Sequence, residues 1–376
     1  MPRKVLTVIG TRPEAIKLAP IALELDGRDE FESIVCATAQ HREMLDQALQ
    51  IFGVVPDHDL NIMKPGQTLA QVTARAITGL DQVIEEVQPD VILVQGDTTS
   101  ALCGAIAGHY RHVIIGHVEA GLRTGNKYAP FPEEMNRRLI GRMADQHFAP
   151  TEHSRDVLLK EDIPNDTVHL VGNTVIDALL WVRDRVMKNT PELPEGLADT
   201  ISDKEMVLIT GHRRESFGGG FEDMCQAIRD VADRQENVEF VYPVHLNPRV
   251  REPVNRILGE HPRIHLIEPM TYEPFVWLMN RATVILTDSG GVQEEAPSLG
   301  KPVLVMRDTT ERPEGIEAGN ARLVGVDRQK ITDQLTLLLT DASEREKMAS
   351  INNPYGDGTS AKQIGDVLAK IDLTHP

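Results

Sequence analysis

The chain is poor in cysteine and in long apolar runs. Its three cysteines, Cys36, Cys103 and Cys225, show no CxxC spacing. This argues against a disulfide framework and against a zinc site, and it favours a reducing compartment. No apolar run approaches the length that a membrane-spanning helix needs, and the opening MPRKVLTVIGTRPEA is not patterned as a signal peptide.

Positive charge is also scarce. Lys and Arg number 39 against 57 Asp and Glu, which gives a net charge of −18. Nucleic acids and anionic membranes prefer a positive surface, so neither is expected as a partner. A hydrophobic content of 41% is ordinary for a packed protein, and 376 residues exceed what one core usually fills. We therefore expect two folded domains.

Short β-branched runs alternate with stretches of helical period, as in Leu69–Val87, through both halves of the chain. This pattern predicts two doubly wound α/β domains with parallel sheets and a ligand cleft between them. The Pro- and charge-rich stretch after Lys188 is the expected linker. We assign residues 1–187 to an N-terminal domain, 188–358 to a C-terminal domain, and 359–376 to a terminal helix that packs back on the first. The predicted strands are Val5–Ile9, Ile34–Ala37, Val91–Val94, Val113–Gly116, Val207–Thr210, Val238–Val244, Ile264–Ile267, Thr283–Leu286, Pro302–Met306 and Ala321–Val324.

Two familiar cofactor motifs are missing. The turn after the first strand places Arg12 and Lys17 near a helix start, but it lacks the second and third glycines of GxGxxG. A tightly bound dinucleotide is therefore not expected there. HExxH and paired-Asp spacings are also absent, which gives little support to a metal site.

Carboxylates follow several predicted strands in the first half. Asp97 follows the third strand, where the residue pattern alone favours capping of the next helix over a functional role. Glu119 lies among glycines and has no evident capping role, which favours a functional role. Glu133 and Glu134 open a helix, and either one can simply complement the helix dipole.

The second half places cations and small residues after strands. His212 and Arg213 precede a glycine run, which favours anion binding and makes residues 216–220 a candidate lid. The turn Ser289-Gly290-Gly291 opens a helix, an arrangement that suits phosphate. Further candidates are Glu295 for a ribose diol, Phe275 for stacking on a base, and Arg312 as an additional cation. Together these residues predict a nucleotide-diphosphate ligand with chemistry at its far end.

The sequence resembles the non-hydrolysing UDP-N-acetylglucosamine 2-epimerases of bacteria, especially the enterobacterial type. The likeness covers nearly the whole chain. It is carried by GTRPEAIKLAP, TAQHREMLDQ, QGDTTS, GHVEAGLRTG, PEEMNRR, GNTVIDAL, TGHRRESFG, YPVHLNP, LTDSGGVQEEAPSLGKPVLVMRDTTERPE and NPYGDG.

The resemblance implies a GT-B fold with the active site in the interdomain cleft, a cytoplasmic homodimer, and no metal or nicotinamide cofactor. It implies epimerisation at C2 of UDP-N-acetylglucosamine for surface polysaccharide precursors, with substrate also acting as an allosteric activator. By the same resemblance, the catalytic residues are Asp97, Glu119, Glu133 and His212. The substrate-binding residues are Arg12, Lys17, Met270, Phe275, Ser289, Gly290, Gly291, Glu295 and Arg312. The regulatory residues are Gln40, Gln67, Arg213 and His245, with Glu133 also at that site.

Three other functions remain open from the sequence. One is a GT-B glycosyltransferase that uses a UDP-sugar donor, and another is a hydrolysing epimerase that releases free sugar. The third is a catalytically silent nucleotide-sugar sensor, although three carboxylates beside a diphosphate would be costly for a protein that only binds.

Overall fold

The computed structural model describes residues 1–38, 42–213 and 218–373 of the chain. They form two compact units: unit 1 contains Met1–Ala178 and Tyr355–Pro376, and unit 2 contains Leu179–Pro354. The break after Ala178 falls inside a helix, earlier than the expected boundary after residue 187. It lies there because Asp177, near the start of this helix, accepts from Ala361 N–H of unit 1, whereas Met187, near its end, accepts from Asn280 Nδ2 of unit 2.

Unit 1 is built on a parallel sheet in the order β3-β2-β1-β4-β5-β6-β7. All five residues of β4 and of β5 are buried, as expected for strands covered on both faces. The strands are β1 (Arg3–Ile9), β2 (Phe31–Ala37), β3 (His58–Asp59), β4 (Val91–Gln95), β5 (Ile114–Val118), β6 (Gln146–Ala149) and β7 (Val168–Leu170). The helices are α1 (Arg12–Asp26), α2 (Arg42–Phe52), α3 (Leu69–Val87), α4 (Thr99–Tyr110), α5 (Glu133–Met143), α6 (Glu152–Lys160) and α7 (Thr174–Lys188).

Unit 2 has a second parallel sheet, in the order β10-β9-β8-β11-β12-β13. Residues 189–196, the expected linker, contain no helix or strand. The strands are β8 (Glu205–Thr210), β9 (Val238–Pro243), β10 (Ile264–Ile267), β11 (Val284–Thr287), β12 (Val303–Val305) and β13 (Ala321–Leu323). The helices are α8 (Leu197–Ile201), α9 (Gly219–Arg234), α10 (Pro248–Leu258), α11 (Tyr272–Arg281), α12 (Gly290–Glu295), α13 (Pro313–Ala318), α14 (Arg328–Thr340) and α15 (Ala342–Ala349).

The chain then returns to unit 1 as α16 (Ser360–Leu368). This helix contacts α1, and Arg28, just after α1, places its Nη1 2.8 Å from Asp366 Oδ1. The guanidinium of Arg3 also donates to the carbonyls of Leu368 and Ile371, at 2.7 and 2.8 Å. These hydrogen bonds hold α16 against the start of β1.

Each sheet has one point at which the strand order reverses. In unit 1 it lies between β1 and β4, and in unit 2 between β8 and β11. Because helices leave these neighbouring strands toward opposite faces, a crevice forms at their carboxyl ends, where α/β proteins bind ligands. The residues that follow these four strands are therefore the first to examine.

Candidate active site

The turn after β1 is tightly packed against α4. A Cβ built on Gly10 would lie 2.0 Å from Ser100 Oγ, so only glycine fits. The Thr11 side chain caps α1 by accepting from Glu14 N–H, and Arg12 and Lys17 follow within the first turns of that helix. Two of the predicted cations therefore lie at the carboxyl end of β1.

Glu14 is fully buried beneath this turn. Its carboxylate accepts from Gly10 N–H at 3.0 Å and from Thr98 Oγ1 at 2.6 Å, which ties the end of β1 to the end of β4. Burial raises the pKa of Glu14 to about 7, because removal from water penalises the charged form more than these hydrogen bonds repay.

Asp97 follows β4 but does not cap the next helix. Thr98 does so, accepting from Ala101 N–H at 3.0 Å, and the capping role that the residue pattern favoured for Asp97 is therefore wrong. The Asp97 carboxylate pairs instead with Arg137, and its main-chain carbonyl accepts from Asn136 Nδ2 at 2.8 Å. Both partners lie on α5, so this helix holds Asp97 at the end of β4.

Glu119 follows β5 in a left-handed backbone conformation, with φ of 61°. Such a conformation costs a non-glycine residue free energy, and it occurs often where function fixes a side chain. Three donors hold the carboxylate: Lys17 Nζ, Gln95 Nε2 and, at 3.2 Å, Asn173 Nδ2. They come from α1, from β4 and from the turn before α7, so the packing of the whole unit sets the position of this carboxylate.

The two acids that open α5 have different roles. Glu134 is buried and accepts from the main-chain N–H groups of Thr124 and Gly125, at 3.0 and 3.2 Å. It also pairs with Arg138 at 2.9 Å, so it anchors the loop after β5. Glu133 is half-buried and lies close enough to Asp97 to raise the pKa of the Asp97 carboxyl.

Asp97, Glu119 and Glu133 interact electrostatically. The pKa of Asp97 is raised, chiefly by burial and further by the other two carboxylates, although Arg137 opposes both effects. Asp97 therefore holds its proton to higher pH than an ordinary aspartate does, which suits it to general acid–base chemistry.

His117 supports this site from the core. It is buried in β5, and its Nε2 lies 2.8 Å from the carbonyl of Gly96, next to Asp97. Burial lowers its pKa to about 3, so the imidazole is neutral. A buried, neutral ring that bonds the main chain beside Asp97 has a packing or supporting role.

In unit 2, Asp288 joins the ends of β8 and β11. Its Oδ2 accepts from the N–H groups of His212 and Arg213, at 2.6 and 2.8 Å, and Oδ1 lies 3.4 Å from His212 Nδ1. The His212 ring stacks on His245 with centroids 5.3 Å apart. Burial lowers the pKa of His212; Asp288 opposes this shift, and the neighbouring His245 and Arg213 add to it.

The turn before α12 approaches two guanidinium groups. A Cβ built on Gly290 would lie 3.7 Å from Arg312 Cζ and 4.0 Å from Arg213 Nη2. Arg312 also pairs with Glu294 at 2.5 Å, which holds it beside the turn. Ser289, Gly290 and Gly291 thus combine main-chain N–H groups with nearby positive charge, as an anion site requires.

The remaining candidates of unit 2 surround α11. Glu295 is buried at the end of α12 and accepts from the hydroxyl of Tyr272, the first residue of α11. Met270 precedes that helix and Phe275 lies in its second turn, and both are half-buried. The carboxylate and the two apolar side chains therefore lie around one helix.

The predicted regulatory residues are spread over both units. In unit 1, Gln67 Nε2 donates to the carbonyl of Ile62 at 3.0 Å. In unit 2, Arg213 and His245 adjoin His212. Gln40 lies outside the described residues. So do residues 216 and 217 of the candidate lid, whose last two glycines begin α9.

Three residues that fix the turns and carboxylates of the site were not predicted from the sequence: Glu14, Gln95 and Asn173. Gln95 is the last residue of a buried strand and Asn173 belongs to a glycine-containing turn. The local sequence therefore indicates only a strand end and a turn, without a functional role. A buried polar residue at a strand end is the one signal that would have selected Gln95.

Within the described ranges, no three His, Cys, Asp or Glu side chains are arranged to hold a metal ion. Over the same ranges, no helix is both long enough and apolar enough to cross a bilayer.

Comparison with known proteins agrees with the predicted family and fold. A family model described as UDP-N-acetylglucosamine 2-epimerase matches residues 23–369. The UDP-N-acetylglucosamine 2-epimerase of Escherichia coli K12 is 57% identical over 368 residues, covering 97% of this chain and 98% of that protein. The enzyme of Bacillus subtilis 168 is 52% identical, covering 97% and 94%.

Solved structures give the same result. The Neisseria meningitidis UDP-GlcNAc 2-epimerase, crystallised with UDP-GlcNAc, superposes with a TM-score of 0.86 at 49% identity, over 98% of this chain and 100% of that chain. The Methanocaldococcus jannaschii enzyme in complex with UDP-GlcNAc and UDP has a TM-score of 0.74 at 32% identity, over 97% and 99%. The fold is thus GT-B-like, and the chain belongs to the UDP-N-acetylglucosamine 2-epimerase family.

Proposed function

We propose that this protein is an isomerase that interconverts UDP-N-acetylglucosamine and UDP-N-acetylmannosamine by inverting C2 of the sugar. Family membership over nearly the full chain supports this activity above glycosyl transfer. The observation that carries the proposal is the cluster of Asp97, Glu119 and Glu133 beside Lys17 and Arg137 in unit 1.

The proposed reaction begins with cleavage of the bond between C1 and the phosphate oxygen. The C2 proton has no neighbouring carbonyl and is barely acidic, but loss of UDP makes C1 electron-poor and C2–H removable. The C2–H electrons then form the C1–C2 double bond of 2-acetamidoglucal, the proton goes to a carboxylate, and the C–O electrons leave with UDP. Re-addition of UDP to C1, with proton delivery to the opposite face of C2, gives the epimer.

This chemistry needs two proton-transfer groups, because one side chain cannot reach both faces of C2. Asp97, Glu119 and Glu133 are the proposed groups, and the division of the faces among them stays open. The raised pKa of Asp97 and the fixed position of the Glu119 carboxylate support proton transfer by this cluster. Lys17 and Arg137 balance the charge that the cluster concentrates.

The departing UDP needs positive charge and N–H donors. Arg12, His212, Ser289, Gly290 and Gly291 are the proposed diphosphate ligands. The proximity of two guanidinium groups to Gly290 supports this assignment. Because the pKa of His212 is lowered, its ring is neutral at pH 7, and Asp288 faces its Nδ1 as charge develops on UDP. We further assign Glu295 to the ribose, Met270 and Phe275 to uracil, and Arg312 and Lys17 to the lining of the site.

Further aspects of the proposal come from the family resemblance. They are a cytoplasmic homodimer, supply of a surface polysaccharide precursor, and activation by substrate through Gln40, Gln67, Glu133, Arg213 and His245. The stacking of His245 on His212 supports a link between regulatory and catalytic residues, because a ligand that moves one ring must affect the other.

One NMR experiment tests the activity. The protein is incubated with UDP-GlcNAc alone in D₂O, and the nucleotide sugars are recovered. An epimerase incorporates deuterium at C2 and yields a mixture of UDP-GlcNAc and UDP-ManNAc without an acceptor. Retention of hydrogen at C2 would contradict the proposal in favour of a transferase or sensor, and accumulation of free N-acetylmannosamine would indicate a hydrolysing enzyme.

A further inference from the structure

Two motifs that have no role in the proposed mechanism meet in unit 1. They are Gly172-Asn173-Thr174, between β7 and α7, and Tyr355-Gly356, which precede α16. The N–H of Asn173 donates to the carbonyl of Tyr355 at 2.7 Å. A Cβ built on Gly172 would lie 3.2 Å from Gly356 Cα and 2.8 Å from Ser360 Oγ. The two segments therefore pack backbone against backbone, so closely that a side chain at Gly172 would crowd Gly356 and Ser360.

The side chain of Asn173 is fixed at both ends. Its Oδ1 accepts from Val175 N–H at 3.1 Å and so caps the first turn of α7. This leaves Nδ2 directed toward Glu119, whose Oε1 it meets at 3.2 Å. Asn173 is 3% exposed, so water cannot easily replace either contact.

Glu119 depends on such contacts because its backbone alone does not fix the carboxylate. The charged groups that face it include Lys17 of α1 and Asp97 in the turn after β4. Gln95 holds Oε2, whereas Lys17 and Asn173 share Oε1. Asn173 thus supplies a neutral, buried donor that orients this oxygen without adding charge to the cluster.

We propose that Asn173 is a positioning residue for the epimerisation, and that the C-terminal segment Tyr355–Ala361 holds it against Glu119. This inference rests on the proposed function. The segment is itself anchored, since Ala361 N–H donates to Asp177 Oδ1 in α7 at 2.8 Å. The last part of the chain thereby acts on a carboxylate that follows β5.

Two substitutions isolate the contact with Glu119. Asn173→Ser and Asn173→Asp both keep an oxygen that can cap α7, but neither keeps the amide donor. We expect kcat for deuterium incorporation at C2 to fall by about 10- to 100-fold, since loss of orientation at a reacting group has this effect. The KM and the affinity for UDP should change by less than about threefold.

The pH profile separates positioning from stability. Asn173→Asp places a second anion beside Glu119, so the limb of the kcat profile that belongs to this carboxylate should move to higher pH. Asn173→Ser, which only removes a donor, should move it less in the same direction. A purely structural defect lowers Tm without moving either limb.

Glycine variants test the role of the C-terminal segment. Gly172→Ala adds a clash with Gly356 and Ser360, whereas Gly53→Ala has a similar positive φ, 71° against 88°, but open space around it. Only Gly172→Ala should reproduce the kcat loss of Asn173→Ser. Asn165→Ser, at an exposed position, serves as the matched control for the asparagine.

Several results would overturn the inference: wild-type kcat and pH profile in both Asn173 variants, or equal kcat in Gly172→Ala and Gly53→Ala. If the wild-type protein itself fails to exchange C2–H, the proposed function fails, independently of Asn173.

Discussion

Single side chains at strand ends decide the chemistry of unit 1. Asp97 and Glu119 both follow central strands, yet their surroundings differ: Asp97 is paired with one arginine, whereas Glu119 is held by a lysine and two amides. Two residues of the same chemical class therefore have different partners, which allows them to serve different steps of one reaction.

Asp97→Asn or Glu119→Gln should retain affinity for UDP while turnover falls by about 10²-fold or more, because each removes a group that transfers a proton. The measurements are UDP titration by calorimetry and C2 exchange by NMR, with the exposed Asp29→Asn as control. Near wild-type epimerisation by both site variants would show that these residues have other roles.

Glu14 should make stability depend on pH. Its pKa is 4.5 ordinarily and about 7 in the folded chain, so below pH 4.5 both states carry the proton. As pH rises toward 7, the unfolded chain loses this proton first. The contribution of Glu14 to the free energy of unfolding therefore falls by about 3 kcal/mol.

Glu14→Gln should abolish that loss. Relative to the wild type, the variant should gain stability between pH 5 and pH 8, as measured by urea unfolding at both values. Glu32→Gln, an exposed acid on β2, provides the control and should leave the pH dependence unchanged. A wild-type curve that does not change over this range would contradict the prediction.

The ends of neighbouring strands are joined by single acceptors in both units: Glu14 joins β1 to β4, and Asp288 joins β8 to β11. Parallel strands leave N–H groups unpaired where their ladders stop, and a buried carboxylate satisfies them. The same contacts hold the turns that carry Arg12 and His212.

Asp288→Ala should therefore lower the free energy of unfolding by about 1–3 kcal/mol, because it leaves the N–H groups of His212 and Arg213 without their acceptor. Asp288→Asn keeps one oxygen at that place and should cost less. Urea unfolding measures both, and equal losses in the two variants would rule out the missing acceptor as the cause.

Buried strands that are rich in β-branched residues, and long helices of clear period, are predicted well from the sequence. Short strands that contain polar residues are predicted poorly. Leu69–Val87 is observed as α3 at its predicted bounds, and Ile264–Ile267 as β10. The strands β3, β6 and β7 were not predicted, because β3 has only two residues and histidines interrupt the apolar pattern of all three. Their pairing comes from the neighbouring strands, which local sequence does not encode.

The same limit applies to the site. Asp97 and Glu119 could be predicted because a carboxylate after a strand has a position that topology alone defines. Asn173 could not, since its partners Glu119 and Tyr355 are far away in sequence and meet only when the sheet and the last helix have formed.

Binding of UDP should stabilise the folded protein against unfolding. At about 100 times its Kd, a ligand that binds only the folded state adds about 2.7 kcal/mol to the free energy of unfolding. Differential scanning calorimetry should show a higher Tm with UDP, a smaller rise in His212→Asn at the same concentration, and slower turnover in that variant. An unchanged Tm would contradict the proposed binding residues.

Unit 1 consists of two stretches of chain that are separated in sequence by unit 2, and this arrangement affects folding on the ribosome. Its first strand is translated before unit 2, whereas the helix that Arg3 and Arg28 bind is translated after unit 2. Unit 2 is continuous, so it can fold while the segment that follows it is still in the exit tunnel. Since the segment that holds Asn173 follows unit 2 in sequence, a polypeptide that stops before Tyr355 should have much lower epimerase activity.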